Sequence, residues 1–227
     1  MIQTVQLHYQ YGVGSALVFP DVNLAQGAVL LLTGPSGSGK STWLALVAGL
    51  MAPTSGALTV AGQALGGLKP RATDAWRSQA IGFLPQKLHL SAALTVAQNM
   101  SLVLWACGLP DDPVRIATAL RALGVQDLAQ RYPAQLSGGQ AQRVALARAV
   151  MLQPRVILAD EPTASLDDAA AAAAVSLLLG TARTHGATLV IATHDARVNA
   201  HLAASDPGPT AVQSLHLAQR GALKDTV

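Results

Sequence analysis

The sequence has one cysteine, Cys107, and few charged residues. A single thiol excludes an internal disulfide and any cysteine-rich zinc site, and its residue type suits a small buried hydrophobe. Asp, Glu, Lys and Arg make up 12% of the 227 residues, against about 25% in an ordinary soluble protein. Mean hydropathy is +0.36, so membrane spans have to be considered. Residues 41–68 and 88–110 contain no charge. Pro53, Gly56 and later glycines break the first stretch. The second carries His89, Ser91, Thr95, Gln98, Asn99 and Ser101, too polar for the run of about 20 apolar residues that a bilayer demands. Neither reads as a span. There is no Lys/Arg cluster either, and a net charge of +3 gives no reason to expect a nucleic-acid partner. Residues 1–7 alternate like a strand and lack the basic-then-apolar plan of a signal peptide. The chain is expected in the cytoplasm as one domain, with part of its low-charge surface covered by a partner.

What the sequence does have is a phosphate loop. Gly34, Pro35, Ser36, Gly37, Ser38, Gly39, Lys40 and Ser41, followed by Thr42, read G-x-x-x-x-G-K-[ST]. An apolar run at 28–33 predicts a buried strand before it, and residues 41–50 predict a packed helix after it. Strand, glycine loop and helix are the context in which this pattern binds a nucleoside triphosphate. Glycines let backbone N–H groups turn toward a polyphosphate, and the helix N-terminus adds partial positive charge. Lys40 would reach the β- and γ-phosphates, and the Ser41 hydroxyl would join Mg²⁺.

Elsewhere the pattern predicts strands in 2–24 joined by a turn at 12–14, an edge strand at 57–60 and glycine turns at 62–67. Another short strand covers 80–84. Residues 87–132 read as an α-helical insertion, with helices over 94–106 and 113–123. A helix over 141–152, a strand over 155–159, an alanine-rich helix over 168–182 and a strand over 188–193 complete the expectation. Short apolar strands end at the phosphate loop, at Gln86, at Asp160 and Glu161, and at His194. In an open parallel α/β sheet, ligands bind outside the carboxyl ends of the strands. The chemistry suggests that Asp160 orients Mg²⁺ with Ser41 and that Glu161 polarises the attacking water. Gln86 would bridge ion and water, and His194 would hold the γ-phosphate or that water. Each residue alone has a structural reading, and their joint placement argues for a triphosphatase.

Leu136, Ser137, Gly138, Gly139 and Gln140 form a second Gly-rich helix start, again suited to an anion. One nucleotide hardly needs two cradles from one molecule. A head-to-tail pair would let each chain close its second cradle over the nucleotide held in the other's first.

These five residues resemble the signature motif of ATP-binding-cassette (ABC) ATPases. The phosphate loop matches the family's Walker A, residues 157–161 its Walker B, Ser165, Leu166 and Asp167 its D-loop, Gln86 its Q-loop and His194 its H-loop. The resemblance runs from about residue 2 to 201. It implies an α/β P-loop NTPase with a RecA-like core (about 1–86 and 151–205), an N-terminal antiparallel β subdomain and a helical subdomain (about 87–150). Residues 206–227 are poorly covered. It also implies ATP and Mg²⁺ as ligands, an ATP-dependent homodimer and adenine stacking on Tyr11 rather than Tyr9. An integral-membrane permease on separate chains would hold the ATPase at the cytoplasmic side of the inner membrane. The wording of residues 34–42, 94–99 and 159–163 is similar to ATPases of the lipoprotein-releasing, macrolide-exporting and cell-division type. Alternatives are an importer ATPase, or a DNA-repair or translation ATPase with the same cassette, although the chain lacks the heptads or zinc modules such proteins carry. A small-molecule kinase would leave residues 136–140 and His194 without a role. Two departures stand out: Gln26 replaces an expected acid, and residues 205–209 lack the arginine expected after His194.

Overall fold

The computed structural model describes residues 1–12, 16–164, 166–204 and 212–218. Its strands are β1 (Ile2–Gln10), β2 (Ala16–Val18), β3 (Val22–Leu24), β4 (Val29–Thr33), β5 (Ser55–Val60), β6 (Gln63–Ala64), β7 (Ile81–Leu84), β8 (Val156–Asp160), β9 (Thr188–Thr193) and β10 (Val212–His216). Its α-helices are α1 (Lys40–Val47), α2 (Pro70–Ala80), α3 (Val96–Ala106), α4 (Pro113–Ala122), α5 (Gly138–Val150), α6 (Asp168–His185) and α7 (Ala196–Ala204). Among the described residues no helix is long and apolar enough to cross a membrane.

Two sheets organise the chain. The first is antiparallel, with β1 pairing β2, β3 and β5, and β6 returning along β5. The second is wholly parallel, in the order β10-β4-β9-β8-β7. Its inner strands are apolar on both faces, as a sheet covered on both sides requires. Register aligns Thr33 with Thr193, Asp160 with Ala192 and Leu84 with Ala159. The carboxyl ends of β4, β7, β8 and β9 therefore stop along one edge, and the residues after them gather there. One core, including Trp43, Leu44 and Phe19, lies between the two sheets around α1. The other, including Met100, Val144 and Leu178, packs helices α3 to α7 on the opposite face.

The fold class is the one expected, with an antiparallel β unit, a parallel core and helices after β7. The strand at 57–60 was expected at an edge, and this is corrected: β6 pairs with Thr59 and Val60 on its outer side. The glycine turns lead into an unexpected helix, α2, with Pro70 in its first turn. Its Trp76 and Thr73 pack so closely on Gly49 that a Cβ there would lie 2.8 Å from Thr73. Residues 87–94 are irregular rather than helical. Wholly buried Asn99 organises part of that segment, accepting from the Ser91 amide at 2.7 Å and donating to the carbonyls of Ser91, Leu94 and Thr95 at 3.0–3.1 Å. The predicted turn at 12–14 and the departure at 205–209 lie mainly outside the described residues.

Candidate nucleotide site

The loop after β4 runs through Gly34, with φ 147°, into α1. A Cβ at Gly34 would stand 2.5 Å from the Leu217 carbonyl and 2.7 Å from Ser38 Oγ, so the turn admits only glycine. Lys40 begins α1 and bends back inside the loop, where Nζ donates to the carbonyls of Gly34 at 2.8 Å and Pro35 at 3.2 Å. Ser38 Oγ is buried with no hydrogen-bond partner among the described residues, and Ser36, Gly37 and Ser41 are exposed. Thr42, under the loop, hydrogen-bonds the Tyr11 hydroxyl at 2.8 Å.

Glu161 lies across from this loop. It follows β8 in the left-handed region, at φ 47°, a conformation that non-glycine residues adopt at a cost. Its amide is held by the Ala192 carbonyl at 2.8 Å. Oε1 stands 2.7 Å from His194 Nδ1, which donates because a carboxylate only accepts, and 3.6 Å from Lys40 Nζ. Oε2 accepts from Thr193 Oγ1 at 2.8 Å. The carboxylate is 10% exposed and the ammonium 7%, whereas the His194 side chain is 66% exposed.

Asp160, the last residue of β8, is half-buried. Burial raises its carboxyl above the usual range; the Ser41 hydroxyl bond opposes this, Glu161 adds to it, and Lys40 opposes it. Oδ1 is buried without a hydrogen-bond partner among the described residues. A shielded carboxylate with an unused oxygen beside a serine hydroxyl suits a hard cation. No group of three or more His, Cys, Asp or Glu side chains is placed to hold a metal among the described residues.

A cavity of about 460 Å³ is lined by Tyr11, Leu17, Ser36, Gly37, Gly39, Lys40, Ser41, Thr42, Gln86, Glu161 and His194. Tyr11 is 48% exposed and meets Tyr9 edge-on, with centroids 4.7 Å apart. That leaves Tyr11, rather than Tyr9, facing the cavity. The sequence pattern did not single out Thr193. Its signal was position alone, as the last strand residue before His194.

The second cradle does not line this cavity. Ser137 caps α5, its Oγ accepting from the Gln140 amide at 3.3 Å while Gln140 Oε1 accepts from the Ser137 amide at 2.9 Å. Ser137, Gly138 and Gly139 are exposed. Of the expected D-loop, Asp167 caps α6 by accepting from Ala170 N at 2.8 Å, and Ser165 lies outside the described residues. Arg197 was also missed from sequence. It pairs with Asp195 and Asp168 at 2.7 Å each. Gln26, the departure from an acid, donates to the carbonyls of Arg155 and Gly186 at 2.9 Å each and so stitches the ends of core elements.

A glycine loop between a parallel strand and a helix, facing acids at the end of the strand two places along the sheet, defines a P-loop nucleoside triphosphatase. The chain belongs to the ABC transporter family, whose model matches residues 20–164. It is 38% identical over 200 residues to the lipoprotein-releasing system ATP-binding protein LolD of Legionella pneumophila (strain Lens), covering 86% of this chain and 88% of that one. It is 41% identical over 181 residues to the macrolide export ATP-binding/permease protein MacB of Shigella flexneri, covering 79% of this chain and 28% of that protein. The dimeric structure of MJ0796, a bacterial ABC transporter cassette, superposes with a TM-score of 0.80 at 31% identity, covering 96% of this chain and 94% of that chain. A second dimeric structure of MJ0796, in a post-hydrolysis state bound to ADP and Pi, superposes with a TM-score of 0.77 at 31% identity, covering 88% and 91%. The chain is an ATP-binding, ATP-hydrolysing subunit of ABC type.

Proposed function

We propose that two copies close head to tail over two ATP molecules, and that this closure drives a separate membrane permease. One observation carries the two-copy reading. Gly138 and Gly139 open an exposed helix without a positive φ, and among the described residues no neighbouring atom lies within 4 Å of where a Cβ would stand. Nothing within the described chain needs glycine there, yet each costs the helix about 0.5–1 kcal/mol relative to Ala. Bare backbone at a helix N-terminus suits an anion approaching from outside, such as the γ-phosphate of ATP held by another copy. The two dimeric cassettes of similar fold support the same reading.

In each closed site, Gly34, Pro35, Ser36, Gly37, Ser38, Gly39, Lys40, Ser41 and Thr42 hold the phosphates, and Tyr11 stacks on adenine. Asp160 and Ser41, with Gln86, would hold Mg²⁺, which would supply positive charge against the phosphates. Glu161 accepts a proton from the attacking water, oriented by Thr193 and His194. Ser137, Gly138, Gly139 and Gln140 come from the other copy, and Asp167 stands beside the closing surface.

The permease docks in a groove of about 570 Å³ formed by β7, α2, α3 and the region around α5, with Phe83, Leu102, Val103, Arg77 and Arg148 on its walls. Exposed Trp105 stands next to it on α3. Docking would place the protein peripherally on the cytoplasmic face of the inner membrane. The relatives' lipoprotein-releasing and macrolide-exporting systems favour release or export over import. If the reading is right, ATPase rate per chain rises with protein concentration before reaching a plateau. A rate per chain independent of concentration, down to nanomolar protein, contradicts it.

A further inference from the structure

Arg197 joins two segments on either side of the proposed hydrolytic pair. Toward the end of β9, Nε donates to Asp195 Oδ1 at 2.9 Å and Oδ2 at 3.1 Å, and Nη2 donates to Oδ2 at 2.7 Å. The Arg197 amide adds a bond to Oδ1 at 3.0 Å. Toward the start of α6, Nη1 donates to the Leu166 carbonyl at 3.1 Å and to Asp168 Oδ1 at 2.7 Å. Leu166 and Asp168 flank Asp167.

The Asp195 end is anchored in turn. Wholly buried Thr163 donates to Asp195 Oδ2 at 2.8 Å, and the Asp195 amide donates to Thr193 Oγ1 at 3.0 Å. The same Thr193 hydroxyl donates to Glu161. The loop out of β8 folds back on itself as well, with Ala164 N on the Glu161 carbonyl at 3.1 Å and Leu166 N on the Thr163 carbonyl at 3.2 Å. A ring of bonds thus runs from Glu161 through Thr193, Asp195 and Arg197 to Leu166, and back along the chain to Glu161.

An exposed ion pair usually contributes little, because water screens it and two side chains lose freedom. This arrangement differs in geometry. A planar guanidinium forks onto one carboxylate and spans to a carbonyl on another segment, a task a lysine ammonium cannot reproduce. The bonds from Arg197 and Thr163 also hold the Asp195 carboxyl well below the usual carboxylate range.

We infer that Arg197 is a positioning residue for ATP hydrolysis, fixing the turn after His194 against residues 166–168 so that His194 and Thr193 hold Glu161 in line. The inference rests on Glu161 and His194 being the hydrolytic pair. Among the described residues, none that lines the nucleotide cavity bonds to Arg197, so its loss should affect turnover and leave binding alone.

The test compares full-length wild type with Arg197→Ala, Arg197→Lys, Asp168→Ala and Glu161→Gln, measuring kcat and KM for MgATP, ADP affinity and the unfolding midpoint. Arg197→Ala is expected to lower kcat about tenfold, with KM and ADP affinity within twofold of wild type. Arg197→Lys should recover less than half of the loss, and Asp168→Ala, which removes one arm, should lower kcat about threefold. Wild-type kcat in Arg197→Ala, full rescue by Lys, or ADP affinity falling in step with kcat would each overturn the inference. Undiminished turnover in Glu161→Gln would instead overturn the reading of the pair itself.

Discussion

Lys40 Nζ and His194 Nδ1 converge on one oxygen, Glu161 Oε1, at 3.6 Å and 2.7 Å. The carboxylate that would take the proton from water is thus held from two sides. Lys40 is drawn inward, its ammonium shared between Glu161 and two loop carbonyls. A phosphate entering the loop must compete for it, and a polyanion with several charged oxygens is a stronger partner than one carboxylate.

Glu161→Gln removes that competition along with the base. Turnover should fall 10²–10⁴-fold, the usual effect of losing a positioned base. Affinity for ATP should rise, because Lys40 no longer faces a charged partner. Equilibrium binding of a fluorescent ATP analogue checks the second half, which loss of the base alone would not predict.

Asp160→Asn should stabilise the protein in the absence of nucleotide and metal. The native carboxyl titrates above its unfolded range because burial penalises the charge. A raised native value means its favourable contribution is present below the unfolded pKa of about 3.9 and lost as pH rises through the native value. The variant's advantage in unfolding midpoint should therefore be largest at pH 7–8 and shrink toward pH 4. Added Mg²⁺ and ATP should stabilise wild type more than Asp160→Asn, because the variant keeps the phosphate loop and loses an Mg²⁺ ligand.

Gly139→Ala should separate folding from function. The α5 start has room for a methyl group, and the isolated chain should gain about 0.5–1 kcal/mol in urea unfolding. ATPase activity should nonetheless fall tenfold or more, since the methyl group would stand where another copy's phosphate approaches.

Asn99→Ala should cost about 1–3 kcal/mol, because it takes the side-chain partner from the part-buried Ser91 amide and Leu94 carbonyl. Asn99 also lines the groove beside α3. Loosening that wall should weaken capture of the detergent-solubilised permease while leaving basal ATPase activity within about twofold. Denaturation curves and co-purification measure the two effects separately.

Most of the site was legible because its residues follow short, strongly apolar strands, and strand ends in a parallel sheet share one edge. The fold was less legible where burial is partial. Helix α2 is mostly polar and fully buries only Ala80, so it lacks the apolar content that marks a core helix, and β10 is largely exposed, so it reads like a loop. The place of β5 depended on β6, two residues long and without a hydrophobic signal of its own. Thr193 and Arg197 were missed for another reason: their importance lies in which distant atoms they meet. Asp195 and Arg197 are neighbours in sequence, but nothing in the spacing brings Leu166 and Asp168 to them.

The central claim is that the phosphate loop is half of a site completed by a second copy. Light scattering on Glu161→Gln, a chain of 23.3 kDa, measures this directly. With Mg²⁺ and ATP the mass should double, and it should return to that of one chain when ADP replaces ATP or when Gly139→Ala is added. A mass that stays at one chain in saturating ATP and high protein would contradict the account.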